Sequence, residues 1–329
     1  MVGRMPSLVV RPFSAEHLEA AGELLAERHR RHRTAEPLLP SAFEDPAAAQ
    51  GAVETAWSRE GAAGAVALRG GRVIGYVIGA PEDDQWGPNI WVELAGHAVQ
   101  EPEVVRDLYA AVAEHAVEQR RTRHYVLVPA SEGGLLDAWY RLGFGQQQAH
   151  GIREVPAESW PDGVREAEPS DVDALLALAP LISLHHAASP VFSDNAARRA
   201  ARETSDAVRS ELESDIASSE IGTLVAERDG RAVGLFSLVP VELAGDGVEG
   251  PATLARPERA CYLGFAATDP EARGSGTGVL LTTAAFAWAH RSGYSTMVTD
   301  WRVANLLASR FWPRRGFRTS FLRLYRSIP

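Results

Sequence analysis

The sequence contains no lysine, so all 33 of its basic residues are arginine. This absence excludes a P-loop, because that phosphate-binding loop needs a lysine beside its glycines. The chain has one cysteine, Cys261, which excludes an internal disulfide framework. Since Cys261 lies in an apolar stretch, a buried small side chain is a better interpretation than a nucleophile.

Long apolar runs are also missing. No stretch reaches the roughly 18 apolar residues that a membrane-spanning helix needs. Residues 1–6 lack the basic and then apolar pattern of a secretion signal. We therefore expect a cytoplasmic protein with no membrane partner.

Positive charge is scarce relative to negative charge. The formal net charge is −10 and the isoelectric point is near 5.5. An acidic chain disfavours a nucleic-acid partner and suits a cationic or amine substrate. With 329 residues, of which 45% are hydrophobic, the chain is long enough for two domains, each with its own core.

A glycine-rich stretch stands between an apolar strand and a helix. The segment 261–267 is short and mostly apolar, which predicts a buried strand, and 279–291 has apolar residues at helical spacing. Between them lie Gly274, Gly276 and Gly278 at alternate positions. Such glycines let backbone N–H groups approach a ligand at a helix N-terminus, where the dipole favours a phosphate. These residues predict a site for a phosphorylated cofactor.

Two kinds of cofactor site use such a turn without a lysine. A dinucleotide-binding fold fits less well, because the glycines follow G-x-G-x-G rather than G-x-G-x-x-G and only about fifty residues remain. The pattern Arg273-x-x-Gly276-x-Gly278 resembles the acyl-CoA pyrophosphate loop of the GNAT superfamily of N-acyltransferases. The segment 305–317, N-x-x-A-x-x-F-W-x-x-x-G-F, resembles that family's second signature.

The chain also repeats itself. The segment 69–75, RGGRVIG, matches 228–234, RDGRAVG, and a Trp-x-x-x-Gly-Phe pattern occurs at 139–144 and again at 312–317. The nearly constant offset indicates two copies of one fold. Together with the resemblance, it predicts a mixed α/β fold of two tandem GNAT-type domains, 1–155 and 163–329.

The first copy lacks the glycine loop. A strand predicted over 89–99 leads into 100–106, QEPEVVR, which has no glycine and carries two carboxylates that would repel a pyrophosphate. We therefore predict that 1–155 is a degenerate domain without a pyrophosphate loop, and that 163–329 contains the acyl-CoA site.

Two helices are predicted near the start of the second copy, over 171–184 and over 195–218. The pair His185-His186 follows the first of them. We expect no metal there, because adjacent helical residues point in different directions and no third ligand is evident.

The resemblance implies which residues hold acetyl-CoA or another acyl-CoA. Backbone groups of Ala266, Ala267 and Thr268 would bind the pantetheine arm, and Asn305 and Trp312 would complete the cofactor site. The pyrophosphate would be held by Arg273, by the N–H groups of the loop and by two hydroxyls, which together comprise Arg273, Gly274, Ser275, Gly276, Thr277 and Gly278.

The implied chemistry is direct attack of a neutral amine on a thioester, which needs a base and an acid. Many relatives place an acidic tyrosine four residues before the Gly-Phe pair, where this chain has Trp312. An indole N–H cannot release a proton near neutral pH. Tyr262 and Tyr325 are therefore the candidate acids, and Glu258 and Asp300 are the candidate bases.

We expect an N-acyltransferase that moves an acetyl or other short acyl group to a primary amine on a small molecule or peptide. The missing tyrosine motivates an alternative, a non-catalytic protein that binds or senses acyl-CoA. We expect a monomer or homodimer, and the sequence does not specify the acceptor.

Overall fold

The computed structural model describes residues 7–82, 87–193, 205–244 and 253–329. Contacts divide the chain into two units, Met1–Ala149 with Thr319–Pro329, and His150–Arg318. Up to residue 154 the strands and helices are β1 Leu8–Pro12, α1 Leu18–Ala35, α2 Pro46–Trp57, β2 Ala63–Arg69, β3 Arg72–Pro81, β4 Asn89–Val92, β5 His97–Val99, α3 Val104–Glu118, β6 Arg123–Pro129, α4 Gly133–Arg141 and β7 Gly145–Glu154.

The rest of the chain has the same alternation of helices and strands. Its elements are β8 Val164–Glu166, α5 Val172–Leu176, α6 Leu181–Ala187, α7 Ser205–Ala217, β9 Gly222–Arg228, β10 Arg231–Pro240, β11 Ala260–Thr268, α8 Thr277–Arg291, β12 Thr296–Arg302, α9 Leu306–Arg314 and β13 Arg318–Ser327.

Each unit has a mixed sheet. The first unit has the strand order β1-β2-β3-β4-β6-β13, with β5 also paired to β3, and the second has β7-β12-β11-β10-β9-β8. In each sheet a parallel pair joins two strands that are connected through a helix, β4 with β6 through α3 and β11 with β12 through α8. A parallel pair requires such a crossover, so the helix of the glycine motif lies against its own sheet.

Helices cover both faces of the second sheet. Leu281 and Trp288 of α8 lie over Gly234 and Gly222, where a Cβ would come within 2.6 Å of their side chains. On the opposite face, Leu235 packs with residues of α5 and α7 in one apolar core. Neighbouring strand residues such as Gly234 and Leu235 point to opposite faces, which explains this division.

The two units differ at their ends from the predicted extents 1–155 and 163–329. Strand β13 pairs antiparallel with β6, from Phe321 opposite Pro129 to Ser327 opposite Arg123. The backbone hydrogen bonds between β13 and β6 therefore place residues 319–329 in the first unit. Residues 150–155 belong to the second unit, where the Val155 N–H donates to the Ser295 carbonyl at 3.0 Å.

Two predicted elements are interrupted. The strand expected over 89–99 is wrong as one piece, because a 3-10 turn at Leu94–Gly96 separates β4 from β5. The helix expected over 171–184 is divided into α5 and α6 at Pro180, whose ring nitrogen has no proton for a helical hydrogen bond. Helix α7 is the described part of the helix predicted over 195–218, and residues 194–204 lie outside the described residues.

No helix within the described ranges is both long and apolar enough to cross a bilayer.

Close contact between α1 and α2 gives a first test of the fold. A Cβ on Gly22 of α1 would lie 2.7 Å from the Gln50 Cβ and 2.8 Å from its Cα, whereas a Cβ on Gly51 would meet nothing within 4 Å. We expect Gly22→Ala to lower the free energy of unfolding by about 1–3 kcal/mol, because the helices must separate. Gly51→Ala should raise it by about 0.5–1 kcal/mol. Urea denaturation measures both, and two changes of the same sign would contradict the packing.

Candidate functional site

The glycine-rich loop joins the end of β11 to the start of α8. Asp269 opens it by accepting a hydrogen bond from the Glu271 N–H at 2.9 Å. Gly274 and Gly276 have φ values of +79° and +92°, in the left-handed region that favours glycine. Gly276 is the N-cap of α8, so these glycines turn the chain from the strand directly into the helix.

Several N–H groups of this loop face no backbone acceptor. The first backbone hydrogen bonds of α8 are those from the N–H groups of Val279 and Leu280 to the Gly276 carbonyl. In the described part of the chain, the N–H groups of Gly274, Gly276, Thr277 and Gly278 donate to no backbone carbonyl of the loop. Converging N–H groups at a helix N-terminus form an anion-binding cradle.

The side chains of the loop have different roles. The Ser275 hydroxyl donates to the Ala272 carbonyl at 2.7 Å and lies 2.9 Å from the Thr277 hydroxyl. Because the serine proton is committed, Thr277 donates to Ser275, and both hydroxyls brace the loop. The Arg273 side chain is exposed and has no hydrogen bond or ion pair among the residues that the structure describes, so its guanidinium is available to an anion.

A slot opens beside the loop between β11 and β12. The two strands pair in parallel only from Ala260 opposite Thr296 to Leu263 opposite Thr299, although β11 continues to Thr268 and β12 to Arg302. Ala266, Ala267 and Thr268 keep their pairing with β10 on the other side. Their backbone edge towards β12 therefore has no strand partner, and an extended ligand arm could bind there.

Two candidate catalytic side chains meet where the slot begins. The Tyr262 hydroxyl donates to the Asp300 carboxylate at 2.5 Å. Gly264 makes room for this contact, because a Cβ there would lie 2.9 Å from the tyrosine ring. Gly264 is also the residue at which the β10–β11 register shifts. The acid candidate and the base candidate are thus one hydrogen-bonded pair.

The second signature forms the start and the core face of α9. Asn305 caps the helix, since its Oδ1 accepts from the N–H groups of Leu307 at 3.1 Å and Ala308 at 3.2 Å. Trp312 is 5% exposed and packs against Phe236, Phe311 and Phe317, with ring centroids 5.0 to 6.1 Å apart. Its indole belongs to the core of the second unit.

The other two catalytic candidates lie elsewhere. Glu258 is exposed and precedes the start of β11, so most of that strand separates it from the loop. Tyr325 is on β13 in the first unit, where its ring contacts Tyr125 at 5.0 Å. Glu258 thus lies away from the part of β11 that borders the slot, and Tyr325 belongs to the other unit.

The described residues support neither a cysteine nucleophile nor a cluster of metal ligands in the second unit. Cys261 is fully buried, and burial raises the pKa of its thiol, which makes it a poor nucleophile. Among the described residues no group of three His, Cys, Asp or Glu side chains could hold a metal ion.

The segment that contains the loop and the residues after it is rich in arginine although the chain is acidic, and two of these arginines, Arg291 and Arg318, pair with Glu166 and Glu154. The segment 273–318 has Asp300 as its acidic residue and carries Arg273, Arg291, Arg302, Arg310, Arg314, Arg315 and Arg318. A groove of about 340 Å³ runs along α8, and its lining includes Arg153, Arg314 and Arg315 together with Glu158, Val279 and Phe286. This local charge suits a ligand with several phosphates.

The first unit has the same arrangement of strands, and its register identifies the counterparts of these residues. The last parallel pair is Val92 opposite Val126 in the first unit and Leu263 opposite Thr299 in the second. Trp91 therefore corresponds to Tyr262, and Leu127 to Asp300. The Tyr262–Asp300 pair has an apolar counterpart.

The slot of the first unit is filled by the unit's own side chains. His97, opposite Val77 on β3, corresponds to Ala266, opposite Phe236 on β10. The His97 ring reaches across to β6 and donates from Nε2 to the Leu127 carbonyl at 2.7 Å. Sequence reasoning missed this contact, because nothing local to His97 indicates that it would bridge two strands.

A buried arginine also helps to fill the slot of the first unit. Arg28 of α1 is 1% exposed and donates to the carbonyls of His97 and Leu94, the latter at 2.6 Å. Burial lowers the pKa of Arg28 to about 10, and burial together with the Arg28 charge lowers the pKa of His97 to about 3. Carbonyls that border the slot are thus satisfied from within the chain.

Residues 183–317 match the acetyltransferase (GNAT) family. Among solved structures, the chain is similar to a GCN5-related N-acetyltransferase from Sphaerobacter thermophilus, with 14% identity, a TM-score of 0.55, and 97% of this chain and 95% of that chain covered. It is also similar to the GCN5-related glucosamine N-acetyltransferase region of a fungal multi-domain β-N-acetylglucosaminidase, with 16% identity, a TM-score of 0.53, and 97% and 38% covered.

At these identities the solved structures show the fold, and the family match covers residues 183–317, which lie in the second half of the chain. A comparison with curated proteins finds no match. The candidate site is thus a glycine-rich loop at a helix N-terminus, at the end of a splayed parallel strand pair in a mixed α/β fold. The predicted mixed α/β fold of two tandem GNAT-type domains is confirmed, and the predicted family is matched over residues 183–317.

Buried histidines in the first unit predict a sensitivity to acid. His32 donates to the Ser320 carbonyl at 2.7 Å, and burial lowers its pKa to about 4. A histidine with a lowered folded-state pKa stabilises the protein above its unfolded pKa, near 6.5, and this stability is lost as pH falls towards the folded value. We expect the urea concentration at half-unfolding to decrease as the pH is lowered from 6.5 to 4. This decrease should be less steep in His97→Gln than in wild type.

The control is His115→Gln, at an exposed histidine of α3. This variant should retain the wild-type slope. Equal slopes in all three proteins would show that His97 does not titrate on unfolding.

Proposed function

We propose that this protein is an N-acyltransferase that transfers an acetyl or other short acyl group from acyl-CoA to a primary amine, with its active site in the second unit. One observation carries the proposal. The free N–H groups of the loop lie at the end of a slot that begins between Leu263 and Thr299, so one ligand with a pyrophosphate and an extended arm can use both.

Donor binding divides between backbone and side chains. The N–H groups of Gly274, Gly276, Thr277 and Gly278 and the Arg273 guanidinium hold the pyrophosphate, as expected for anions at a helix N-terminus. The unpaired edge of β11 from Ala266 to Thr268 binds the amides of the pantetheine arm. Arg314 and Arg315, which line the groove along α8, attract the donor's remaining negative charge.

The chemistry uses the Tyr262–Asp300 pair. The amine nitrogen attacks the thioester carbonyl, the C–N bond forms and the C–S bond breaks. Asp300 takes the proton from the nitrogen, while Tyr262 gives its hydroxyl proton to the leaving thiolate. The hydrogen bond between the two returns the proton from Asp300 to Tyr262, so the pair ends in its starting state.

The first unit binds no donor in this proposal. His97 crosses its slot, and Arg28 occupies the adjoining carbonyls. Its connecting segment also carries Glu101 and Glu103, which pair with Arg69 and Arg141. The first unit therefore serves as scaffold.

A second candidate function is binding or sensing of acyl-CoA without transfer. It is favoured by Trp312, which stands where many relatives have an acidic tyrosine and which packs in the core. The two functions differ in whether free coenzyme A is released.

Calorimetric titration with acetyl-CoA tests the donor site. We expect one site per chain in wild type and at least a hundredfold loss of affinity in Gly276→Glu, because a carboxylate in the cradle repels the pyrophosphate. Gly71→Glu is the matched control, since Gly71 also has a positive φ, of +80°, and open space around its Cβ, but lies in the first unit. Two sites per chain would contradict the closed first slot, and no binding would contradict the proposal.

Coenzyme A release with a panel of amines tests the chemistry. Tyr262→Phe keeps the ring and removes the proton, so kcat should fall about 10²- to 10⁴-fold while the affinity for acetyl-CoA stays unchanged. Binding by wild type without release for any amine would favour the sensing function. An unchanged kcat in Tyr262→Phe would remove Tyr262 from the mechanism.

A further inference from the structure

A histidine outside the predicted site contacts the cap of α9. His185 lies on α6, which also contacts β11. Its Nε2 is 3.1 Å from Oδ1 of Asn305. Helix α6 therefore reaches from one side of the slot to the residue that follows β12 on the other side.

The hydrogen bonds around Asn305 determine where the protons are. The backbone N–H groups of Leu307 and Ala308 point at one end of the Asn305 amide, so that end is the oxygen. An amide oxygen only accepts, so His185 carries its proton on Nε2. Three donors thus converge on a single oxygen.

This convergence orients the rest of the amide. Oxygen and nitrogen lie on opposite sides of one planar carbon, so fixing Oδ1 also fixes the direction of Nδ2. Asn305 is 8% exposed, which restricts it further. The amide then has one donor group, Nδ2, directed away from the helix it caps.

In the first unit the N-cap residue of the corresponding helix is also bound by a side chain from another helix, but through an ion pair. Glu132 is the N-cap of α4, eleven residues before Gly143, as Asn305 is eleven residues before Gly316. The Glu132 carboxylate accepts no helix N–H, and it pairs with Arg31 of α1 at 3.0 Å. A carboxylate at this position cannot donate a hydrogen bond, whereas the Asn305 amide can. The unit with the carboxylate is also the unit whose slot is filled.

We propose that His185 is a positioning residue that fixes the Asn305 amide so that Nδ2 donates to a carbonyl of the acyl-donor arm. The inference rests on the proposed donor site in the second unit. His185 itself touches no donor atom and acts through Asn305.

A double-mutant cycle on acetyl-CoA affinity, measured by calorimetry, tests this role. His185→Leu should weaken binding about fivefold to tenfold, the effect of one misdirected hydrogen bond. His185→Gln, whose amide can donate to Asn305, should regain most of the affinity. In the Asn305→Ser background, which keeps a capping oxygen and lacks Nδ2, His185→Leu should cause no further loss.

The control is Leu184→Ala, at an exposed neighbour on the same helix, which should bind like wild type. Thermal unfolding of every variant separates loss of fold from loss of orientation, and His185→Gln covers the case in which the leucine variant does not fold. Wild-type affinity in His185→Leu, or equal losses in both backgrounds, would overturn the inference. Absence of binding by wild type would instead overturn the proposed function.

Discussion

The structure of the site depends on where one pair of strands stops pairing. β11 and β12 share backbone hydrogen bonds as far as Leu263 and Thr299, and beyond this point both strands continue without each other. Backbone N–H and carbonyl groups that lose a strand partner must find water, a side chain or a ligand. The glycine loop, the Tyr262–Asp300 pair and the cap of α9 are all placed by this divergence.

The two units satisfy the same requirement in different ways. In the first, His97 and Arg28 supply the hydrogen bonds, and a buried arginine and a neutral buried histidine are the cost of that solution. In the second, Ala266 stands at the position of His97 and leaves the backbone edge accessible. His97 and Arg28 thus fill in the first unit the space that stays open beside Ala266 in the second, while the register of the sheet is retained.

The features that sequence reasoning predicted are local. Gly274 and Gly276 need positive φ, and the apolar spacing of α8 follows directly, so the strand, loop and helix could be derived from a short segment. The contacts that it missed join distant parts of the chain. The pairing of Tyr262 with Asp300 depends on the register of two strands, and the link from His185 to Asn305 spans more than a hundred residues.

Strand β13 completes the sheet of the first unit but follows the second unit in the chain, and this order has a consequence for synthesis on the ribosome. Residues 150–318 emerge before β13, so the second unit can complete its fold while β6 of the first still has an unpaired edge. Unpaired strand edges are sites of wrong association between chains. Domains usually mature in the order in which they are translated, and here the domain that begins first is completed last. A pause in translation before β13 leaves the ribosome would prolong that exposed state.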